Sequence, residues 1–426
     1  MDFKDYNSKS LTEYIDEYAR LWDFYGTIQI IKNGKMVFEN SYGYASLAFD
    51  IKNTSKTHYT LASLTKQFTA FAIMLLYDRK RIDVDKPANI YLPDYMQIPA
   101  DITIHHLLSH TSGLHNNYSF EEELFIGDDR RLYSQKEFFS QYILRQPVNN
   151  PGEQYDYNNS NYNLLAWIIE NVSGTSYEDF LKENIWIPLS MNDTEVDDGI
   201  KIIKNKAENY SRDYDKWVKA PYYNEKFSIG AGAVISTCKD LYHWFCCLRD
   251  KRLISEKTYR RYLQESRNAY CCGLYHSTVY GTDKYWHGGD HMGVQTYMQN
   301  FFDEDLYIII LSNNESVNQY KLGDSISDIL HGRDKRTPEK MDEVPINDED
   351  REKYCGTYLE GKIRLEQING KLYFTRFKEN LHIEVYPVGK GKFARRYSEQ
   401  REPYNLTEAE DGIPQFFGYR KIISRG

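Results

Sequence analysis

The sequence predicts an α/β protein in two parts: a core whose sheet pairs N-terminal with C-terminal strands, and a small antiparallel β-sandwich or barrel appended at the C-terminus. Three observations carry this. Strand-like segments stand near the beginning of the chain and again near residue 300, helical patterns and turn-rich loops fill the span between them, and the segments after residue 350 alternate at period two between Gly, Asn and Pro turns.

Taken in order, "SLTEYIDEYARLW" places Ser10 three residues before Glu13, a capping-box pattern ahead of apolar positions at helical spacing. A first helix is expected to open there. "TIQIIKNGKMVFENSYGYA" reads as strand, Asn33-Gly34 turn, strand. In "LASLTKQFTAFAIMLL", Phe68, Phe71, Ala72, Leu75 and Leu76 fall on one face, which predicts a core helix ended by the charged "DRKRIDVD". Residues 87–225 mix short helical patterns with loops such as "SHTSGL" and "NNPGEQYDYNNSNY". After "SIGAGAVIST" comes the amphipathic "DLYHWFCCL", and then "YMQNFF" and "LYIIILSNN" read as buried strands joined by a "DED" turn. "LGDSISDILHG" is helical on pattern, so Ser325 in its "GDSI" reads as part of a core helix.

Residues 333–350, charged and proline-containing, have a linker composition. The expected division is therefore 1–335 and a β-rich, lipocalin-like 345–426.

Composition excludes several functions. Within 426 residues no apolar run approaches the roughly 20 needed to cross a bilayer, and the net charge of −9 lacks the basic block that a nucleic-acid footprint requires. Six cysteines, two pairs of them adjacent, fit neither a disulfide framework nor a zinc spacing. No cofactor and no metal are expected, and "HGGDH" is too poor a helix for His287 and His291 to act as an i, i+4 ligand pair. The expected partner is a small molecule or a short peptide. "MDFKDYNSKS" lacks a basic n-region and an apolar stretch, so the expected location is the cytoplasm, the alternative being export with a signal segment outside this sequence.

Two S-x-x-K tetrapeptides occur. Ser236 with Lys239 has a structural reading, because Thr237 stands three residues before Asp240 at a helix start. Ser63 could cap its helix too. If that helix begins at or just before Ser63, residues i and i+3 share a face, which brings Lys66 beside the Ser63 hydroxyl, and the helix N-terminus faces the place where an oxyanion would form. A serine needs such a neighbour to take its proton before it can attack.

Tyr157-Asn158-Asn159 follows Pro151-Gly152 and precedes a helical pattern, while His287-Gly288-Gly289 reads as a turn before a strand pattern. In this order, the three segments resemble the motifs of serine β-lactamase-like hydrolases: penicillin-binding proteins, β-lactamases, D-aminopeptidases, DD-carboxypeptidases and related esterases. "SLTKQFTAFAIMLL", "LLSHTSGL", "IWIPLSMNDT" and "GAGAVISTCKDLYHW" are similar to framework segments of the same family, so the resemblance covers about residues 10–332.

It implies an antiparallel sheet flanked by helices, a helical lobe, and a site between them. It further implies Ser63 as acyl-accepting nucleophile, Lys66 and Tyr157 as proton carriers with the base unassigned, and Asn159, His287 and Gly289 as substrate contacts. The backbone N–H groups of Ser63 and Asp290 would form the oxyanion hole, and Lys66 and His287 would supply the positive charge a phenol needs to act as a base. The implied activity is hydrolysis of a small amide, peptide or ester through an acyl-enzyme; the alternative is a penicillin- or ligand-binding protein without turnover.

His287 stands where many β-lactamases have lysine, and Asn158 where Ser or Ala is commoner. Asp290, if its side chain faces the cleft, would repel a substrate carboxylate. "NNYSFEEELFIGDDRRLYSQKEFF", residues 116–139, is expected to border the cleft.

Overall fold

A computed structural model describes residues 8–116, 134–144, 146–333, 337–377, 380–400, 402–417 and 419–422. They divide into two compact units, one of residues 25–208 with 222–313, the other of 1–24, 209–221 and 314–426.

The first unit is built on a six-stranded antiparallel sheet. Its strands are β1 (Gly26–Lys32), β2 (Lys35–Tyr42), β3 (Tyr275–Val279), β4 (Thr282–His291), β5 (Val294–Phe301) and β6 (Leu306–Ser312), in the spatial order β3-β4-β5-β6-β1-β2. The N-terminal strand does pair with the C-terminal one, from Gly26 opposite Ser312 to Lys32 opposite Leu306. Asn33 and Gly34 both take positive φ, +51° and +68°, the two-residue turn that their sequence announced. The helix "DLYHWFCCL" spans Cys238–Arg249, opens on the Thr237 cap, and packs on β1 and β6.

"LTKQFTAFAIMLL" forms the helix Thr65–Asp78, but it has no exposed face: every residue from Thr65 to Leu76 is buried. It is the central element of a helical lobe, packed against the helix Asn159–Ser173. Burial of its polar residues is tolerated because each finds a partner: Val234 N donates to Thr65 Oγ1 at 3.0 Å, Trp244 Nε1 to Gln67 Oε1 at 3.1 Å, and Thr69 Oγ1 donates to Gly230 O at 2.7 Å.

The second unit contains the first helix, Ser8–Trp22, which packs on Gln319–Leu330. That first helix is already under way at Ser8, so Ser10 lies inside it rather than at its cap. Ser325 lies within Gln319–Leu330, as its pattern predicted.

From Gly356 onward eight short strands form an antiparallel meander. Ile422 N donates to Thr357 O at 2.8 Å, which joins the end of the meander to its first strand and nearly closes a barrel around Tyr358, Leu365, Phe374, Phe393 and Phe416.

No helix among the described residues is long and apolar enough to cross a membrane.

Candidate active site

Ser63 caps nothing. It sits in a short 3₁₀ turn, Ala62–Leu64, that runs directly into Thr65–Asp78, and neither start carries a side-chain cap. Ala62 takes φ +48°, a conformation that costs a non-glycine residue about 1–3 kcal/mol and that aims the turn at its neighbours. Because the backbone is helical from Ser63 to Lys66, the two side chains share a face. Lys66 Nζ donates to Ser63 Oγ at 2.9 Å.

Lys66 is fully buried. Its Nζ also donates to oxygens that can only accept, Asn159 Oδ1 at 2.7 Å and Ala231 O at 2.9 Å, and the ring centroids of Tyr157 and Tyr162 lie 4.8 and 5.7 Å from Nζ.

Asn158 explains itself as the N-cap of Asn159–Ser173: its Oδ1 accepts from Ser160 N at 2.8 Å. That cap fixes Asn159 as the first helical residue, facing Lys66. Tyr157, the residue before the cap, is held by Asn116, whose Nδ2 donates to Tyr157 O at 2.9 Å.

The third motif is not a turn before a strand. His287, Gly288 and Gly289 lie inside β4, opposite Met298, Tyr297 and Thr296, and the hairpin turn falls later, at Met292–Gly293. Two adjacent glycines read as a turn on local propensity; here they are needed because the strand abuts the nucleophile turn. A Cβ on Gly289 would stand 2.2 Å from Thr296 Oγ1, 2.4 Å from Leu61 O and 3.0 Å from Ala62 Cβ. Edge strand β3 pairs with β4 only up to Trp286, which leaves His287–His291 as the edge that runs past Ser63.

Asp290 is exposed, and strand alternation turns its side chain away from the face shared by His287, Gly289 and His291. The side-chain repulsion considered for it therefore has no geometric basis. Its backbone remains on the edge beside Ala62.

His287 does not provide positive charge. Burial, with Lys66 nearby, lowers it to about 3, so it is neutral, its Nδ1 donating to Gly288 O at 2.6 Å and its Nε2 3.3 Å from Tyr270 OH. Among the described residues, Lys66 is the basic group that stands against the Tyr157 ring.

The sequence reading missed His110, which it placed in a polar loop. It is fully buried, with its ring 4.4 Å from that of Tyr157, 5.0 Å from Tyr162 and 4.7 Å from Tyr270. Its Nδ1 accepts from Asn158 N at 3.0 Å and its carbonyl from Asp156 N at 2.8 Å, so one residue grips the chain on both sides of Tyr157. Desolvation, then Lys66 and His287, hold it well below the usual imidazole range. The available signal was "LLSHTSGL" itself, a polar run continuing an apolar helix.

Most of residues 116–139 lie outside the described residues; the described Ser134, Gln135 and Phe138 line a cavity of about 240 Å³ with Trp167 and Ile229.

The chain resembles known proteins over most of its length. A family model described as Beta-lactamase matches residues 22–332. Penicillin-binding protein 4* of Bacillus subtilis (strain 168) is 25% identical across 98% of this chain and 97% of its own length. The putative penicillin-binding protein PbpX of the same organism is 31% identical across 61% of this chain, which spans 64% of that relative, a little under two thirds.

Among solved structures, the octameric penicillin-binding protein homologue from Pyrococcus abyssi superposes with a TM-score of 0.67 at 22% identity, over 97% of this chain and 99% of its own. The D-amino acid amidase from Ochrobactrum anthropi SV3 superposes with 0.64 at 20% identity, over 77% and 97%. These two attest the fold. Since the family model spans more than half of the sequence and takes in all three motifs around Lys66, the chain belongs to the Beta-lactamase family.

Proposed function

We propose that the protein is a serine hydrolase that forms an acyl-enzyme on Ser63 and cleaves a small amide, peptide or ester. The observation that carries this reading is the buried Lys66 ammonium position. Two of its hydrogen-bonding directions are taken by Asn159 Oδ1 and Ala231 O, obligate acceptors, and another points at Ser63 Oγ.

In its amine form, Lys66 keeps two N–H bonds on those acceptors and turns its lone pair to the serine hydroxyl. Lys66 takes the Oγ proton as Oγ bonds to the substrate carbonyl carbon. The carbonyl oxygen, now an oxyanion, is held by the backbone N–H groups of Ser63 and Asp290 at the N-terminal end of the buried helix. When the bond to the leaving group breaks, the proton passes from Lys66 through the Tyr157 phenol to the leaving nitrogen or oxygen. Water then attacks the acyl-enzyme and releases Ser63 by the reverse proton path. Asn159 and the edge of β4 at His287–Gly289 orient the substrate. The penicillin-binding and amidase relatives support this class of chemistry.

The test is turnover. The purified protein is assayed with a chromogenic cephalosporin, short-chain nitrophenyl esters, D-aminoacyl amides and D-Ala-D-Ala peptides, with mass spectrometry of the Ser63 peptide. Catalytic release from a labelled Ser63 is expected for at least one class. Stoichiometric labelling without release by any of them would instead mark a binding protein, and no labelling would end the reading.

A further inference from the structure

The two elements that frame Ser63 continue past it together. Side chains alternate along β4, so His287, Gly289 and His291 share a face; His287 stands by Tyr157 with ring centroids 6.1 Å apart, and Gly289 stands against Leu61 and Ala62. His291 follows roughly 7 Å further along the strand. The second element is the turn Glu225–Gly232, whose Ala231 carbonyl accepts from Lys66 and whose Ser228 carbonyl accepts from Ala231 N and Gly232 N. Its first residue, Glu225, meets His291: Oε1 lies 3.8 Å from Nε2, beyond hydrogen-bond range, and the Tyr223 ring stands edge-on to the imidazole at 3.9 Å.

Hydrogen-bond accounting shows what is missing between them. His291 Nδ1 is 3.2 Å from Met292 O, which can only accept, so Nδ1 carries the proton and Nε2 presents a lone pair; Nε2 has no partner. Glu225 is 5% exposed, and its Oε2 has no partner either. The charged groups closest to the pair, Asp197 and Lys206, are engaged with each other. Burial keeps His291 neutral, lowered to about 4, and burial with Asp197 nearby raises Glu225 to about 8, so at pH 7 the imidazole is uncharged and the carboxyl holds its proton. A neutral imidazole lone pair and a carboxyl that ionises once a cation stands against it would together hold a donor with several hydrogens. An ammonium supplies both the hydrogens and the missing charge, whereas water supplies only the hydrogens.

The geometry points to Glu225 and His291 as a subsite for a primary ammonium group of the substrate. It rests on the serine-hydrolase reading above and refines its substrate class. Because His291 lies roughly 7 Å along the strand from the nucleophile turn, the ammonium belongs several bonds from the scissile carbonyl, on a side chain or a neighbouring residue.

The experiment uses p-nitrophenyl esters of glycine and of 6-aminohexanoic acid, each with its N-acetyl counterpart, at pH 7. The expected result is a kcat/KM for the 6-aminohexanoyl ester at least tenfold above its N-acetyl form, with no such preference for the glycyl pair. Glu225→Gln should remove the preference and leave the N-acetyl ester within twofold. Equal rates for both members of the longer pair in the native enzyme, or an equal loss on both in Glu225→Gln, would overturn the subsite. Failure of every ester to acylate Ser63 would instead sink the reading on which it rests. Should Glu225→Gln not fold, hexylammonium is expected to inhibit native ester hydrolysis at least tenfold more strongly than hexanol, and equal inhibition would count against the subsite.

Discussion

The chain contains the same tetrapeptide pattern twice, and the two copies do opposite things. Ser63 and Lys66 lie on a continuous helical path, so their side chains meet at 2.9 Å and the lysine is buried with two further acceptors. Ser236 ends a strand, Val234–Ser236, and Thr237 caps the helix that follows, accepting from Asp240 N at 3.3 Å. The backbone turns a corner between Ser236 and Lys239. Ser236 Oγ bonds to Thr194 Oγ1 at 2.8 Å, and Lys239 is exposed. Of the two copies, the first has all four residues on a helical path and a core that receives the lysine, and the second has neither.

The largest effect should come from the first pair. Ser63→Ala removes the atom proposed to be acylated, and turnover is expected to fall by at least about 10³-fold, with loss of covalent labelling; Lys66→Ala should come close to it, since the two are proposed to act as a unit. Measured rates within tenfold of the native enzyme would break the comparison at its first term. Next is Gly289→Ala. Its new Cβ meets Leu61 O and Thr296 Oγ1 at under 2.5 Å, so strand or nucleophile turn must move. Overpacking of this kind costs about 1–3 kcal/mol, and displacing the turn by a fraction of an ångström should lower kcat about 100-fold. A normal kcat would mean that β4 plays no part in catalysis.

Much of this arrangement was legible in the sequence because it is written in local rules. Asn33-Gly34 specified its hairpin, Thr237 its cap, and the apolar "LYIIILSNN" its buried strand. What stayed hidden depends on long-range packing. Periodicity gave Thr65–Asp78 one apolar face, yet the lobe buries it on all sides, with Val234, Trp244 and Gly230 satisfying its polar residues. His287-Gly288-Gly289 looked like a turn because glycine's reason for being there, the approach of Leu61 and Ala62, lies more than two hundred residues away in sequence. For His110 the polar run in "LLSHTSGL" was a local sign, but its role stayed hidden for the same reason: its partners are Asn158 and three tyrosines distant in the chain.

His110 gives a smaller, more diagnostic effect. His110→Phe keeps the ring among Tyr157, Tyr162 and Tyr270 but leaves Asn158 N without its acceptor, a loss of about 1–3 kcal/mol. We expect kcat to fall about tenfold with KM little changed, and His110→Gln, which can still accept, to recover part of it. An unchanged kcat in His110→Phe would show that the grip on Tyr157 is dispensable.

Its pH signature follows by linkage. His110, His287 and His291 are all neutral when folded, with lowered values, about 3 for His287 and about 4 for His291. Unfolded, each titrates near 6.5, so below that pH the unfolded state binds more protons. Their contribution is therefore complete above about pH 6.5 and is lost as pH falls toward 4, by about 1 kcal/mol per histidine per unit. Melts at pH 7 and 5.5 should show a lower Tm at 5.5, and His110→Phe should shrink that difference.

The smallest effects belong to the second tetrapeptide, and their smallness is the point. Ser236→Ala gives up the buried hydrogen bond to Thr194 and a long one to Thr237 O, together worth about 1 kcal/mol, and Lys239→Ala, on the surface, should change stability by under about 0.5 kcal/mol. Neither side chain touches the path from Ser63 through Lys66 to Tyr157, so kcat/KM should stay within about twofold for both. Thr237→Ala should cost more stability than either, about 1 kcal/mol or above, because it strips the cap that sets where the helix begins. If Lys239→Ala lowered turnover while Thr237→Ala did not lower Tm, the residue types rather than the backbone through them would have to carry the function, and Ser63 would lose its distinction.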